Sequence, residues 1–270
     1  MSTLQSVEFG PQLREWRQFR RLSQLELSLR AEISQRHLSW LETGRSRPSR
    51  RMVVQLCETL DMPLRDRNRL LHAAGFAALY RTGDLDEERM RAIRDGLRRM
   101  LDQQMPYPSL VMDREWNLLM TNACADALLA AVMDDDQWSR GDGPINLARL
   151  TLHPEGLKPL IANWQEAAQH FAQRLRRDLE SSRDPDLRST LEGLIELADE
   201  GLDDQTEPDL GLMPMLTLDL RFGDRLLRLF TVISTLGTAQ DVTAEELRIE
   251  SFFPADDVSE EMLKTLAGAL

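Results

Sequence analysis

Apolar residues recur at three- and four-residue steps through residues 1–80, a spacing that is typical of amphipathic helices. Short polar stretches interrupt this pattern often enough to predict five short helices. The first begins near Phe9, with Pro11 close to its first turn. Ser23 and Ser34 stand where N-caps are needed, and Glu26 completes a capping box with Ser23. The remaining helices are expected at residues 24–31, 35–42, 52–60 and 63–74.

A longer amphipathic helix is predicted over residues 82–104. Met90, Ile93, Leu97 and Leu101 recur there at helical spacing, with arginines and acidic residues between them. Two interpretations stay open. The helix either lies on the domain that follows it or serves as a signalling or dimer helix.

The chain after Pro108 begins with strands. Residues 109–122 predict two strands around a tight turn at Asp113-Arg114, and a helix over 123–132 follows directly. This order of strand, turn, strand, Asn and helix is typical of the opening of a PAS-like sensor domain.

The remaining residues predict a helical insert and then the rest of a sheet. The insert has one continuous apolar stripe over 157–179 and a second helix that begins at Pro185. Gly223-Asp224 is expected to join the first two late strands as a hairpin. These late strands are predicted at 215–222, 226–236 and 247–253. With the two early strands they make five, the number in a PAS sheet.

The predicted fold is therefore an all-α five-helix helix-turn-helix domain, followed by an α+β PAS-like domain with a five-stranded antiparallel sheet and a helical insert. A length of 270 residues suits two domains, since one domain holds about 100–200. The boundaries we expect are 1–80 for the helical domain, 81–105 for a connector helix, 106–257 for the PAS-like domain and 258–270 for a C-terminal helix or tail.

Charge is distributed unevenly along the chain. The net charge is −12, yet residues 1–80 carry 13 arginines against 8 acidic residues, a net of +5, and residues 81–270 carry a net of −17. A basic head on an acidic body is expected when only the head meets a polyanion such as DNA.

Two short helices joined by a few residues, the second with polar and basic side chains outward, predict a helix-turn-helix. The string LSQLELSLRAEISQRHLSWLETGRSRPS resembles the helix-turn-helix of the Xre/Cro-like repressors. It departs from that family at Leu27-Ser28, where an alanine is usual. It matches at Ser23-Gln24, Ala31, Ser34, Leu41-Glu42-x-Gly44 and the basic stretch 45–49.

The resemblance implies that the second helix binds a phosphate and the third reads bases. Phosphate binding falls to Gln24, at a helix N-terminus that favours anions, while arginine and glutamine on the third helix can pair with guanine and adenine. The arginines in the loop after it are expected to contact phosphates. His37 faces either the groove or solvent, and Trp16 and Trp40 are each either contacts or plain packing. The predicted DNA-binding residues are Gln24, Ser34, Gln35, Arg36, His37, Trp40, Arg45, Arg47 and Arg50.

A second resemblance covers the rest of the chain. The strings YPSLVMDREWNLLMTNACADALL, LHPEGLKPLIANWQEAAQHF and STLGTAQDVTAEELRIESFFPAD are similar to the ligand-binding domain of the MmyB-like transcription regulators. In that family the domain follows an Xre-like helix-turn-helix, which is the order found here. The resemblance implies a bacterial transcription regulator whose PAS-like sensor binds a small apolar ligand of fatty-acid type.

A sheet covered by helices leaves room for a cavity on its concave side. A fatty acyl chain would gain about 0.8 kcal/mol per buried CH₂ group, and its carboxylate would need a cation or N–H donors. Arg149, His153, Arg228 and Arg248 are candidates for that partner, although His153 serves alternatively as a structural cap, and each tryptophan is alternatively plain core. The predicted ligand-binding residues are Trp116, Leu118, Met120, Asn122, Arg149, His153, Trp164, Phe171, Arg228, Thr231 and Arg248, with Leu229 and Ile233 as further wall candidates.

Catalytic motifs are missing from the sequence. It has no glycine-rich phosphate loop with lysine, no Gly-x-Ser-x-Gly elbow and no His-x-x-x-His pair. Cys57 and Cys124 make neither a disulfide framework nor a zinc site. We therefore expect no enzymatic activity, no cofactor and no metal. A reducing cytoplasm is the expected location, since no apolar run reaches the ~18–20 residues of a membrane span and the N-terminus lacks the features of a secretory signal.

Three hypotheses follow. The first, favoured by the resemblance, is a homodimeric regulator that binds a double-stranded DNA operator at half-sites about 34 Å apart and responds to a small apolar ligand. The second is a constitutive DNA-binding protein whose C-terminal half only dimerises and whose pocket is filled with side chains. The third is a protein-interaction adaptor that uses the acidic face.

Overall fold

The computed structural model describes residues 5–132, 144–202 and 215–269. These residues form two compact units. The helical unit takes its described residues from Met1–Asp84 and Gly237–Glu245, and the sheet unit takes its own from Leu85–Leu236 and Glu246–Leu270.

The helical unit contains the five predicted helices. They are α1 Gln5–Phe19, α2 Gln24–Arg30, α3 Gln35–Glu42, α4 Arg50–Thr59 and α5 Leu64–Ala73. The bounds of α2 to α5 agree with the sequence pattern to within two residues. The prediction for α1 was wrong at its start, because Pro11 lies inside the helix rather than in the first turn. Proline removes one backbone donor there, and the burial of Phe9 and Leu13 on either side outweighs that loss.

The core of the helical unit is made of leucines from every helix. Leu13, Leu27, Leu38, Leu56 and Leu71 are all completely buried in it. The helices approach each other closely, and a Cβ atom on Gly10 would stand only 2.5 Å from the carbonyl oxygen of Glu42. Glycine at this position therefore lets α1 cross the end of α3 at backbone contact.

A segment from far along the chain completes the helical unit. This 237–245 segment begins with a parallel bridge between Arg81 and Asp241. The hydroxyl of Thr243 then accepts a hydrogen bond from the N–H of Gly83 at 3.1 Å and donates one to its carbonyl at 2.7 Å. Sequence patterns along one stretch of chain give no sign of such a pairing.

The 237–245 segment also caps α5. The N-cap position of α5 is Pro63, whose side chain makes no cap hydrogen bond. The carboxylate of Glu245 accepts a hydrogen bond from the N–H of Leu64 at 2.7 Å instead. A carboxylate at a helix N-terminus satisfies a free donor and complements the helix dipole.

The sheet unit contains the five antiparallel strands that the pattern predicted. They are β1 Ser109–Met112, β2 Leu118–Thr121, β3 Leu218–Phe222, β4 Arg225–Thr235 and β5 Arg248–Pro254. Their order in the sheet is β2-β1-β5-β4-β3. The expected hairpin joins β3 to β4 through Gly223, which adopts a φ of 57°.

Helices cover this sheet. In the sheet unit they are α6 Arg91–Gln103, α7 Ala123–Val132, α8 Leu147–Leu152, α9 Trp164–Ser181, α10 Pro185–Asp199 and α12 Asp257–Gly268. The short helix α11 Val242–Glu246 lies almost wholly in the 237–245 segment of the helical unit. The predicted bounds of α7 and the start of α10 are confirmed. The short helices α8 and α11 were not predicted, since five or six residues are too few for periodicity to be recognised.

Two predicted helices are shorter than expected. The helix predicted over 82–104 begins only at Arg91, after a 3₁₀ turn at Glu88–Met90. Gly83, inside the predicted range, has its backbone bonded to Thr243 instead. The apolar stripe over 157–179 is not one helix. Ile161 pairs with Leu220 of β3, and this bridge separates a 3₁₀ turn at Lys158–Leu160 from α9.

Candidate nucleic-acid interface and ligand cavity

Side-chain caps fix the start of both helices of the helix-turn-helix. The predicted capping box is confirmed, with Ser23 Oγ accepting from the N–H of Glu26 and the Glu26 carboxylate accepting from the N–H of Ser23. These bonds lower the pKa of Glu26. Ser34 Oγ caps α3 by accepting from the N–H of His37 at 3.1 Å. The turn between the helices is set locally by Glu32 at a φ of 52°.

A buried charge network fastens these helices to α1. The guanidinium of Arg17 binds the carboxylate of Glu42 through two nitrogens, at 2.6 and 3.0 Å, and donates a third bond to the carbonyl of Leu22 at 2.8 Å. Glu42 also accepts from the side-chain amide of Gln24 at 2.8 Å. The amide nitrogen of Gln24 is thus engaged within the helical unit, and its contact with a phosphate stays a prediction.

The outer face of α3 is polar and accessible. Gln35, Arg36 and Trp40 are exposed, and His37 is half-buried. The guanidinium of Arg36 stacks on the Trp40 ring at 4.5 Å, an arrangement that holds a flexible arginine in one orientation. Trp16, for which two interpretations were open, packs in the core with 6% exposure.

The loop after α3 carries the basic residues that were expected to meet phosphates. Arg45, Arg47 and Arg50 are all exposed, and they lie between Gly44 and the first turn of α4. This places a basic stretch directly after the polar face of α3. The roles of these nine residues at DNA stay predictions.

The sheet unit has a partly open cavity of about 350 Å³ between the sheet and its covering helices. Leucines, alanines and aromatic rings dominate its wall, a composition that suits an apolar ligand. The wall is built from α7, α8 and α9 on one side and from β1, β3, β4 and β5 on the other. Residues that line it include Leu110, Leu128, Leu129, Leu152, Ile161, Ala167, Ala168, Leu220, Phe230 and Phe252.

The structure brings some of the predicted ligand residues to this cavity. Those on its wall are Trp164, Phe171 and Thr231, together with Leu229 and Ile233. Residues that the wall does not include are Trp116, Leu118, Met120, Asn122, Arg149, His153, Arg228 and Arg248.

Asn122 has a structural position near the cavity. Its side-chain oxygen accepts from the N–H groups of Ser109 and Ala125, and its amide donates to the carbonyls of Leu101 and Tyr107. All of its hydrogen-bonding capacity is therefore used in holding the start of α7 against β1.

The four cations proposed as carboxylate partners are positioned away from the wall. Arg248 binds Asp178 through two nitrogens at 2.6 and 3.0 Å. Arg228 pairs with Asp219 and Asp256. Arg149 is exposed. The ring nitrogen Nδ1 of His153 accepts from the N–H of Glu155 at 3.1 Å, as the structural interpretation of His153 expects. Binding of a ligand by these residues stays a prediction.

The sequence did not predict the basic residues that do line the cavity. His170, Arg174 and Arg177 follow one another at steps of four and three residues on one face of α9, and all three are on the wall. Their spacing places them beside Phe171 of the apolar stripe. A basic face adjoining an apolar stripe on a predicted helix was the signal that could have identified them.

Arg174 lies in an unusual environment. Its guanidinium stands 4.1 Å from the Trp116 ring, and Nη1 donates to Oε1 of Glu250 at 3.3 Å. Within the described part of the chain, its buried Nη2 has no hydrogen-bond partner. Burial lowers the pKa of Arg174, while the nearby charge of Glu250 opposes that shift.

Metal and membrane features were also sought. Among residues 5–132, 144–202 and 215–269, no group of three or more His, Cys, Asp or Glu side chains could hold a metal ion. In the same residues, no helix is long and apolar enough to cross a membrane.

Comparisons with known families agree with both units. A model described as the MmyB-like transcription regulator ligand binding domain matches residues 93–266. A model described as a helix-turn-helix domain matches residues 8–70. A search of curated proteins finds no match. Both resemblances stated from the sequence are thereby confirmed, and both matched domains are regulatory rather than enzymatic.

Proposed function

The chain belongs to the family of the MmyB-like transcription regulators, and we propose that a ligand in its sheet unit changes the affinity of its helical unit for a DNA operator. It is a DNA-binding transcription regulator with a ligand-binding domain. The ligand in the proposal is a small apolar molecule of fatty-acid type. The protein acts as a homodimer on double-stranded DNA in the bacterial cytoplasm, without catalysis.

The cavity in the sheet unit is the observation that supports this proposal most strongly. A folded interior is normally packed to the density of an organic crystal, with few voids larger than a water molecule. The partly open cavity of about 350 Å³ with an apolar wall is much larger than that. The alternative of a purely constitutive dimer expects a pocket filled with side chains, and such a cavity argues against it.

The 237–245 segment supplies a route for the response. It follows β4 and precedes β5, whose residues Thr231, Ile233, Glu250 and Phe252 line the cavity. These residues form the cross-strand pairs Thr231 with Phe252 and Ile233 with Glu250. The segment between the two strands is part of the helical unit and contains Glu245, which caps α5. A ligand that shifts this strand pair would therefore displace the capping segment.

A DNA-binding assay with and without ligand tests the proposed function. An operator is first selected from random sequence, and its affinity is then measured while decanoate is titrated into the full-length protein. We expect affinity to change by about 5- to 150-fold, the usual size of an allosteric coupling. Decanoate that binds without changing DNA affinity would support the constitutive alternative. A protein that binds no decanoate contradicts the proposal.

Variants of the 237–245 segment test the route. Replacing Thr243 and Glu245 together with alanine should leave DNA and decanoate binding in place and reduce the effect of one on the other at least tenfold. Thr265→Ala, on α12, is the matched control. A coupling that survives in the double variant would exclude this route.

Two arginine variants test the DNA interface. Arg36→Ala should relax base preference at one or two positions of each half-site, since a bidentate contact discriminates by about 1–3 kcal/mol. Arg47→Ala should lower the slope of log affinity against log salt by about 0.9. If Arg36→Ala instead weakens binding to all sequences equally, that side chain contacts a phosphate.

A further inference from the structure

Polar groups occupy only a small part of the cavity wall. The arginines Arg174 and Arg177 and the imidazole of His170 come from one face of α9, and the acid Glu250 comes from β5. A ligand that enters this cavity therefore meets hydrocarbon over most of its length and positive charge on one helix face. Such a surface fits an amphiphile with a negative headgroup.

Arg174 is the member of this group with a buried nitrogen that has no hydrogen-bond partner among the described residues. A guanidinium carries five N–H donors in a fixed fork. One of its two terminal nitrogens reaches Glu250 at the long distance of 3.3 Å, and the other is buried without a hydrogen-bond partner among the described residues. A buried, unsatisfied donor is costly, and one at a cavity wall is often a site where a ligand binds.

A neighbouring arginine has a carboxylate partner that Arg174 lacks. Arg248 also lies near the Trp116 ring, at 5.9 Å, and it receives a bidentate carboxylate from Asp178. Arg174 has the same aromatic neighbour, and among the residues that the structure describes its carboxylate contact is a single long one, to Glu250 at 3.3 Å. The difference leaves room for one more acceptor at Arg174.

Trp116 restricts the direction from which that acceptor can come. Its ring covers one face of the Arg174 guanidinium, and Trp116 itself is completely buried. An aromatic ring stabilises the cation from its face and leaves the in-plane N–H groups for a carboxylate. The arginine is thus held in place before any ligand arrives.

We infer that Arg174 selects the headgroup of the ligand, by donating from Nη2 to a carboxylate oxygen of an amphiphile whose chain fills the cavity. This inference rests on the proposed function, since it needs a cavity that takes an apolar chain. It assigns the recognition of the negative headgroup to one side chain, which was not among the four residues predicted for it. Glu250 then shares Arg174 with the ligand, which places the headgroup next to the β4–β5 pair.

The test compares two ligands that differ only in their headgroup. Decanoate and decan-1-ol are titrated separately into the full-length protein below their aggregation concentrations, and binding is followed by calorimetry. The wild-type protein should bind decanoate at least ten times more tightly than decan-1-ol. In Arg174→Gln, decanoate should lose about tenfold or more in affinity, while decan-1-ol should bind as before.

Two further variants control for charge and for folding. Arg176→Gln removes an exposed arginine of the same helix, one that pairs with Asp199 and does not line the cavity, and it should bind both ligands as the wild type does. Arg174→Lys keeps a positive charge and should retain part of the preference for decanoate. Unchanged binding of decan-1-ol shows that the cavity of each variant is intact.

The outcomes separate the inference from the function on which it rests. If the wild type binds both ligands equally, or if Arg174→Gln keeps the full preference for decanoate, the inference is wrong and the proposed function stands. If neither ligand binds to the wild type, the proposed function fails and the inference fails with it.

Discussion

Each unit of the molecule contains a buried pair of arginine and glutamate, and the two pairs differ in how completely they are satisfied. In the helical unit, Arg17 and Glu42 share two short hydrogen bonds, and both have further partners in Leu22 and Gln24. In the sheet unit, Arg174 and Glu250 share one long bond. The first arrangement fastens three helices together, whereas the second leaves a donor for something else.

The same difference holds for packing. The buried side chains of the helical unit are in contact from Phe9 to Ala73, while those of the sheet unit surround a cavity. The hydrogen bonding of buried charges and the packing of buried side chains thus differ between the two units in the same direction. In the helical unit the buried charges are well hydrogen-bonded and the side chains are closely packed. In the sheet unit a buried arginine nitrogen has no partner among the described residues and a cavity is present, so this region is suited to bind a ligand.

Breaking the satisfied pair should have the largest effect. Arg17→Met leaves the Glu42 carboxylate buried without its main partner, and we expect a loss of about 3–5 kcal/mol in the stability of the helical unit. Hydrogen exchange of the amides in α1 to α3 measures this unit by itself. Arg14→Met, at an exposed position of the same helix, is the control. A loss below 1 kcal/mol would show that the Arg17 network contributes little.

Removing the Arg174–Glu250 pair should not lower the free energy of unfolding. In Arg174→Met/Glu250→Met, both buried charges are replaced by flexible apolar side chains, and such replacements are neutral or stabilising by about 1–4 kcal/mol. Urea unfolding of the sheet unit measures the change, with decanoate binding measured alongside. Stability should be kept while the preference for the anion is lost. Strong destabilisation would mean that this pair is structural, like its counterpart.

A larger side chain should affect stability differently in the interiors of the two units. Ala31 and Ala168 are both buried alanines, at 0% and 1% exposure, and only Ala168 lines the cavity. Ala31→Leu overfills a packed core and should cost about 1–3 kcal/mol. Ala168→Leu enters empty space and should change stability by less, with a gain of about 0.5–2 kcal/mol where it fits. Thermal unfolding compares them, and equal losses would contradict the difference in packing.

The two buried cysteines, one in each unit, extend the comparison of the units to the pKa of a thiol. Burial raises the pKa of Cys57 in the helical unit to about 12 and that of Cys124 in the sheet unit to about 11. Because each folded pKa lies above that of an unfolded cysteine, the contribution to stability is present below about pH 8.5 and is lost as pH rises toward those values.

Thiol labelling at pH 8 measures how reactive each cysteine is in the folded protein. Neither cysteine of the native protein should react quickly with a disulfide reagent, while both should react in urea. As pH is raised, we expect Cys124 to react before Cys57. The reverse order would mean that the helical unit opens more readily than the sheet unit.

The sequence predicted the local features of the fold well. Caps such as Ser23 and Ser34 act over three residues, and the apolar spacing of α3 or α7 is complete within the helix itself, so both can be read from a short string. The five strands and the hairpin at Gly223 were predicted for the same reason. Contacts between distant parts of the chain were not, and the pairing of Thr243 with Gly83, inside the range of a predicted helix, has no local signal.

The candidate site was predicted only in part, for a related reason. The aromatic members Trp164 and Phe171 belong to a stripe that must face inward, and they do line the cavity. The cations were chosen from positions near strands and turns, where Arg228 and Arg248 proved to have acidic partners of their own. Which arginine lacks a full partner depends on the positions of carboxylates from other elements, and spacing along the chain does not carry that information.

The 237–245 segment bears on how this protein can be divided or recombined. The helical unit is not contiguous in the gene, since part of it is encoded between two strands of the sheet unit. A fragment that stops at Asp84 lacks the carboxylate that caps α5, and a fragment that starts at Leu85 carries a segment without its binding surface. Exchange of the DNA-binding unit between relatives therefore requires two matched crossovers. A chimera made with one crossover has its N-terminal helices from one parent and its 237–245 segment from the other.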